Sequence, residues 1–245
     1  MNSKLIFVFI SFPVLLFGRT FPDGSTILGK VDQNMSARTR ISVTRMEISM
    51  ARGSRTLEAK SWSEGDRNAF TEYLAPAREK GTKMLKTNEQ LWIYSPATDR
   101  VIQISGHMLR QSVMGSDLSY EDMMNDTPLL EQYDAVVDAE ETIDTRKCWV
   151  ISLTALKPEV SYYRQKMWID QERHIPLKIE MYAKGGKLLK KIELSEVKKI
   201  QGRWFPMTML YKDMLKKGGG TRMTFLELQL DAQLPQGIFT KASLR

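Results

Sequence analysis

From residue 40 onward the chain is organised by alternation. In Trp149/Ile151/Leu153, Tyr163/Met167/Ile169, Leu177/Ile179/Met181, Leu188/Ile192/Leu194 and Phe205/Met207/Met209/Tyr211 one parity is largely apolar, while the other carries Lys178, Glu180, Lys191, Glu193, Thr208 and Lys212. A period of two sends successive side chains to opposite faces, so these segments predict strands with one wet face and one apolar face. Strand-like runs cover Arg40–Met50, Thr56–Trp62, Ala69–Leu74, Thr82–Lys86, Leu91–Tyr94, Val101–Ile104, Cys148–Thr154, Tyr162–Asp170, Leu177–Tyr182, Leu188–Val197, Trp204–Asp213 and Thr221–Leu230. Their separators, such as Thr87–Gln90, Lys184–Gly186 and Gln201–Arg203, are too short for parallel crossovers, which need about a dozen residues. The C-terminal half is therefore predicted to be an antiparallel meander. In the first run Ile41 and Val43 share one parity while Met46, Ile48 and Met50 share the other, which predicts either a bulge near Arg45 or a strand covered on both faces.

Helical spacing is confined to two places. Asp23-Gly24-Ser25 can cap a short helix whose apolar stripe is Ile27, Leu28, Val31 and Met35. Ser119-Tyr120-Glu121-Asp122 forms a capping-box pattern ahead of Met123, Met124, Leu129 and Leu130, with Pro128 ending or restarting that helix. Two short helices cannot cover an open sheet of this many strands. The expected fold is therefore mainly β: a strongly curved antiparallel sheet of about 11 strands, a half-open barrel, with the short helices covering its concave side.

The first residues change the picture of where the chain works. Met1–Lys4 followed by the apolar run Leu5–Phe17 reads as a signal peptide over residues 1–18, cut after Gly18. Its apolar run is too short to span a bilayer as a helix, which takes about 20 residues; the plainer alternative is an uncleaved anchor or a buried N-terminal helix. What remains, residues 19–245, shows no linker or repeat and reads as a single domain, exported to the periplasm. Cys148 is the only cysteine and sits in a strand-like run, so it reads as a small buried hydrophobe. The net charge of +7 permits attraction to anionic lipid or an acidic partner. Export and the alternation of basic with apolar residues argue against nucleic acid. The Lys/Arg-rich C-terminal third reads as solvated strand faces and hairpin tips, or as a membrane-facing or partner-facing rim.

Candidate chemistry is sparse. His107 and His174 are the only histidines, no cysteine cluster accompanies them, and Gly115-Ser116-Asp117 is no nucleophile elbow. Asp117, Glu121 and Asp122 match no calcium-loop spacing and read as helix caps. No enzyme activity, metal or cofactor is therefore expected. Methionine is more informative: many of the 15 fall on the apolar parity, and Met adapts to ligands of variable shape. The expected lining of an apolar cavity is Trp92, Tyr94, Trp149, Ile151, Met167, Ile169, Ile179, Met181, Met207 and Met209. Trp168 shares the parity of Arg164 and Lys166 and is expected to face a covering helix or solvent.

The stretch Met114-Gly115-Ser116-Asp117-Leu118-Ser119-Tyr120-Glu121-Asp122-Met123 resembles a signature of outer-membrane lipoprotein-sorting proteins, a LolA-like branch of the LolA/LolB lipoprotein carrier superfamily. Pro76–Thr82, Leu91–Pro96 with Arg100, Met167–Asp170 with Pro176–Lys178, and Trp204-Phe205-Pro206 support the resemblance along most of the chain. It implies a half-open barrel whose interior binds lipid or lipoprotein acyl chains, without catalysis, for transport or sorting toward the outer membrane. The signature residues Met114, Gly115, Ser116, Asp117, Ser119, Tyr120 and Asp122, with Met108, fall in the segment His107–Met124, which is expected to act as a lid. A monomer with transient membrane-surface contact is expected. The alternative is a periplasmic adaptor of an efflux-type, RND-like inner-membrane permease, since members of this branch are often linked with such transporters.

Overall fold

The computed structural model describes residues 21–125 and 127–245; the expected signal peptide at residues 1–18 lies outside them. Helix α1, Gly24–Met35, is capped by Asp23, whose carboxylate accepts from the Thr26 N–H at 2.8 Å. Six strands follow: β1 Thr39–Met50, β2 Ser54–Glu64, β3 Asn68–Ala75, β4 Lys83–Thr87, β5 Gln90–Ser95 and β6 Arg100–Ile104. A largely non-strand segment then carries 3-10 turns at Gly106–Arg110 and Val113–Gly115 and the helices α2, Tyr120–Met124, and α3, Leu129–Gln132. The chain returns through β7 Tyr133–Ile143, β8 Arg146–Ala155, β9 Arg164–Asp170, β10 Pro176–Tyr182, β11 Leu188–Ile200, β12 Arg203–Asp213 and β13 Gly218–Leu230.

All 13 strands join one sheet in the order β6-β5-β4-β3-β2-β1-β13-β12-β11-β10-β9-β8-β7. Two antiparallel meanders, one from each half of the chain, are stitched by the long antiparallel pair β1–β13. Val43 pairs with Glu227 and Thr44 with Phe225, so Leu226 is the extra residue of a bulge in β13. The register of β1 against β2 is unbroken. The expected irregularity near Arg45 therefore belongs to the partner strand. Gly220 (φ +100°) lies close to β12: a Cβ there would fall 2.6 Å from the Tyr211 carbonyl oxygen.

One face collects the apolar parity of nearly every strand. Over β7–β9, helix α1 buries Ile27, Leu28 and Val31 against Tyr133, Ala135, Val137, Ile151, Leu153, Met167 and Ile169. Each buried Ile, Leu, Val or Met among them contributes about 1.5–3 kcal/mol of transfer free energy. Asn34 ties the helix down by donating to the Arg173 carbonyl at 2.7 Å. The same face continues through Ile192, Leu194 and Met209 to Ile48, Leu57, Tyr73, Met84, Leu91 and Ile104, which the segment between β6 and α3 covers with Val113 and Tyr120. The opposite face is covered locally, where Leu244 packs on Phe70, Leu85 and Trp92.

The half-open barrel of about 11 strands is thus corrected to an open 13-stranded sheet that is neither closed nor strongly curled. Its edge strands β6 and β7 do not pair with each other. The expectation of curling rested on a shortage of cover, and two pieces of cover carried no periodic signal: the irregular run around Val113 and the C-terminal segment ending at Leu244. The added strand is β7, whose Tyr-Asp-Ala-Val-Val-Asp-Ala-Glu-Glu sequence is acidic and interrupts its strand formers Tyr133, Val136 and Val137 with Asp, Ala and Glu, which are depleted in strands. It occupies an edge, where charge blunts pairing with other chains.

Candidate functional site

The residues between β6 and α3 form a strap across the β1–β6 half of the sheet. Ser119 caps α2 in a complete capping box: its hydroxyl accepts from the Asp122 N–H at 3.1 Å, and the Asp122 carboxylate accepts from the Ser119 N–H at 2.7 Å. The strap is internally hydrogen-bonded, Val113 N–H to the Leu118 carbonyl at 2.9 Å and Tyr120 N–H to that of Gln111 at 3.1 Å. Its undersurface is apolar, with Val113 and Tyr120 buried and Met108, Leu109, Met114, Met123 and Met124 packed around them.

Polar pins hold the strap to distant strands. The buried Asp117 carboxylate accepts from the Thr221 hydroxyl of β13 at 2.7 Å and from the Asp213 N–H of β12 at 2.9 Å. Its own N–H donates back to the Thr221 hydroxyl oxygen at 2.9 Å. Lys216 reaches the Ser116 carbonyl at 2.5 Å and the Ser112 hydroxyl. At the other end Asp122 pairs with Lys190 and accepts from the Tyr162 hydroxyl at 2.6 Å. Burial works against the charge on Asp122, but Lys190 and the hydrogen bonds from Ser119 and Tyr162 outweigh it and hold the carboxyl below its ordinary range. Burial and the facing Asp122 push the Tyr162 hydroxyl upward. Lys86 on β4 donates to the Asp66 carbonyl at 2.9 Å and approaches those of Met123 and Met124 at 3.4 Å, where α2 ends. Burial lowers its pKa to about 8.

Beneath the strap lies a cavity of about 240 Å³ bounded by β1, β2, β3 and β13. Its origin is the small size of facing side chains: Ser42 stands opposite Ser61, Thr44 opposite Ala59, and Ser61 opposite Thr71. One end is apolar, with Met46, Leu57, Tyr73, Met223 and Phe225 below and Val113, Leu118 and Met123 above; the other presents Arg40, Ser42, Ser61, Ser63 and Thr71. A more open polar groove of about 630 Å³ runs outside the strap between Arg110, the 158–162 loop, Lys190 and Leu215.

The ten expected lining residues divide between the two faces. Trp149, Ile151, Met167, Ile169 and Ile179 pack under α1, and Ile179, Met181 and Met209 adjoin Ile192 and Leu194 on the same face. Met207 is buried and shares their parity. Trp92 and Tyr94 lie on the opposite face with Phe70 and Leu244, and Lys241 sits 4.2 Å above the Trp92 ring. None of the ten borders the 240 Å³ cavity. The signature residues Met114, Gly115, Ser116, Asp117, Ser119, Tyr120 and Asp122 do come together, with Met108, as the strap and its pins. Trp168 points away from α1, packed with Cys148 and Val150, its indole N–H donating to Glu141 at 2.7 Å. Cys148 is fully buried and burial pushes its thiol up to about 11. Sequence reasoning passed over Arg40, Ser42, Ser61 and Thr71. The available signal was a lapse of apolar character on the buried parity of β1 and β2.

The oxygens of Asp117 and Asp122 are taken up by hydrogen bonds that anchor the strap, and Asp170 is engaged by Arg146 at 2.7 and 2.9 Å together with two turn amides. Among the described residues no group of three or more His, Cys, Asp or Glu is placed to hold a metal ion. No helix among them is long and apolar enough to cross a membrane.

Residues 65–245 match the sequence model of a family described as "Uncharacterized protein". The chain belongs to that family. Among solved structures it is similar to a DUF1329 family protein from Desulfovibrio piger, at 26% identity and TM-score 0.81 over 90% of this chain and 97% of that one. It is similar also to a domain from Vibrio parahaemolyticus provisionally named as outer-membrane lipoprotein-sorting, at 24% identity and TM-score 0.78 over 90% and 97%. A LolA superfamily protein from Nitrosomonas europaea matches at 24% identity and TM-score 0.71 over 91% and 100%. The fold of this family member is thus LolA/LolB-like. No curated protein matches the chain.

Proposed function

We propose that the protein is an exported, non-catalytic carrier that binds lipid or lipoprotein acyl chains between its sheet and the strap, for transport or sorting toward the outer membrane. The observation that carries this reading is the cavity with an apolar end, roofed by Val113, Leu118 and Met123, under a strap that polar pins attach. Binding acyl chains needs no covalent chemistry, only replacement of water by an apolar lining worth about 0.8 kcal/mol per buried methylene. At about 240 Å³ the space holds on the order of eight groups the size of a water molecule at ~30 Å³ each. Carriage of longer chains requires the strap to rise, and its pins are polar contacts that can exchange with water. The signal-peptide reading of residues 1–18 supports the periplasm, and the signature in the strap supports the lipoprotein-sorting branch.

Native mass spectrometry and lipid extraction of protein purified gently from its own envelope test the proposal. Co-purifying acyl lipid is expected. Protein that emerges empty but bound to an inner-membrane permease would replace this reading with that of a transporter adaptor. The adaptor reading draws on one observation of its own: Met214 and Leu215 are 42% and 60% exposed at the tip between β12 and β13, beside Lys212, Lys216 and Lys217. This tip suits a membrane surface or a membrane-bound partner.

A further inference from the structure

Arg40 stands out among the cavity residues. It projects from β1 on the face that buries Met46 and Ile48, where a cation is costly unless paired. Its Nη2 donates to the Met35 carbonyl at the end of α1 at 2.8 Å, and its guanidinium stacks 5.4 Å from the centroid of the Phe205 ring. The buried Nε has no hydrogen-bond partner. Among the described residues no carboxylate makes an ion pair with it; Asp66 exerts a favourable field and Arg203 an opposing one, while burial disfavours the charge. Arg203 itself is paired with Asp231. Facing strands place four hydroxyls, from Ser42, Ser61, Ser63 and Thr71, along the same end of the cavity, with Ser61 and Thr71 bonded to each other at 2.9 Å. A cation and a row of hydroxyls at one end, an apolar chamber at the other, and room for a single short chain describe a site for an amphiphile.

We infer that this cavity binds a single-chain amphiphile with an anionic head group, its chain against Met46, Leu57, Met223 and Phe225 and its head on Arg40 and the neighbouring hydroxyls. The inference rests on the acyl-binding reading above and adds the charge and number of chains. An anionic head group supplies the counter-charge that no carboxylate among the described residues provides to Arg40 by an ion pair, and charge-assisted hydrogen bonds are about twice as strong as neutral ones. Diacyl lipids exceed the space unless the strap opens, whereas a short carboxylate of about eight non-hydrogen atoms fits with the strap in place.

Isothermal titration of the delipidated protein with hexanoate, hexanol and methyl hexanoate at pH 7 tests this. Hexanoate is expected to bind about tenfold or more tightly than the two neutral compounds. Arg40→Gln should erase that preference while leaving hexanol affinity within about twofold, and Arg40→Lys should restore part of it. Equal affinity of the wild-type protein for all three compounds would overturn the head-group assignment and leave acyl binding standing. Binding of none of them would overturn both. Should Arg40→Gln fail to fold, judged by circular dichroism, the head-group series on the wild-type protein decides by itself.

Discussion

Replacing Asp117 with Ala probes whether the strap is a separately stable element held down by polar contacts. The substitution removes the acceptor of the Thr221 hydroxyl at 2.7 Å and of the Asp213 N–H at 2.9 Å; the bond from the residue-117 N–H to the Thr221 oxygen survives because it uses backbone. Hydrogen bonds to charged groups are worth about 1.5–3 kcal/mol each, so the strap loses about 3–6 kcal/mol of attachment. If it opens on its own, local opening becomes about 10² to 10⁴ times more frequent. Hydrogen exchange followed by mass spectrometry reads this directly. The amides of Val113, Ser116 and Tyr120, bonded within the strap, should exchange faster by that factor, while amides in β8 and β9 keep wild-type rates. Equal acceleration in β8 and β9 would show that the strap is part of one cooperative unit, and unchanged strap rates would show that the Asp117 bonds do not hold it. Thr221→Val should give a smaller effect, because the Asp213 contact remains, and the double variant should fall short of additivity, since the two side chains share a bond.

Asp122 makes the strap acid-sensitive: burial opposes its charge, yet Lys190 and its hydrogen-bond donors hold its carboxyl below the ordinary range. Its contribution is complete above the unfolded value near 3.9 and is lost as pH falls through the lower folded value. Strap exchange corrected for intrinsic rates should therefore rise below about pH 4, and Asp122→Asn should flatten that response. Gly24→Ala places a Cβ 2.6 Å from the Ala135 carbonyl oxygen, forcing α1 off β7. A cost of about 1–3 kcal/mol, seen as a Tm lower by about 2–4 °C per kcal/mol, is expected, and an unchanged melt refutes the close approach. The Cys148 thiol, buried and raised to about 11, should resist thiol reagents at pH 8 until denaturant unfolds the chain; prompt labelling of the folded protein contradicts its burial. Leu215→Glu at the exposed hairpin tip should weaken binding to anionic vesicles by about tenfold, from lost apolar burial and added repulsion, and equal binding removes that tip from the membrane contact.

Legibility in the sequence followed the strength of local periodicity. Helix α1 and the strands of the C-terminal meander were readable because their buried residues recur at fixed spacing: Ile27, Leu28 and Val31 on one stripe, Phe205, Met207 and Met209 on one parity. The capping box at Ser119 was readable because its chemistry is local, and both of its bonds are present. In β5 Leu91 and Trp92 are both buried on opposite faces, so a period of two does not say which faces the strap, and Trp92 and Tyr94 lie on the face away from it. What covers Trp92 is the C-terminal segment, which has no repeat and reaches it only through the tertiary fold. Alternation alone leaves an area of apolar sheet without cover and so favours curvature; the strap and the C-terminal segment supply that cover.

The cavity is not legible in the sequence for a related reason. Apolar alternation identifies where a core is filled, and a space is made where that alternation lapses on a buried parity. In β1 the face-directed residues read Arg40, Ser42, Thr44, Met46, Ile48, and in β2 they read Leu57, Ala59, Ser61, Ser63. Both strands are apolar toward one end and small and polar toward the other, and antiparallel pairing brings like ends together, Ser42 opposite Ser61 and Met46 opposite Leu57. Neither strand alone distinguishes a solvated stretch from a lined hollow. The strap, anchored to β12 and β13 by Asp117, lines the same cavity as the hydroxyls and their apolar neighbours, and a polar gradient along two strands thereby becomes a polar end and an apolar end of one partly open cavity.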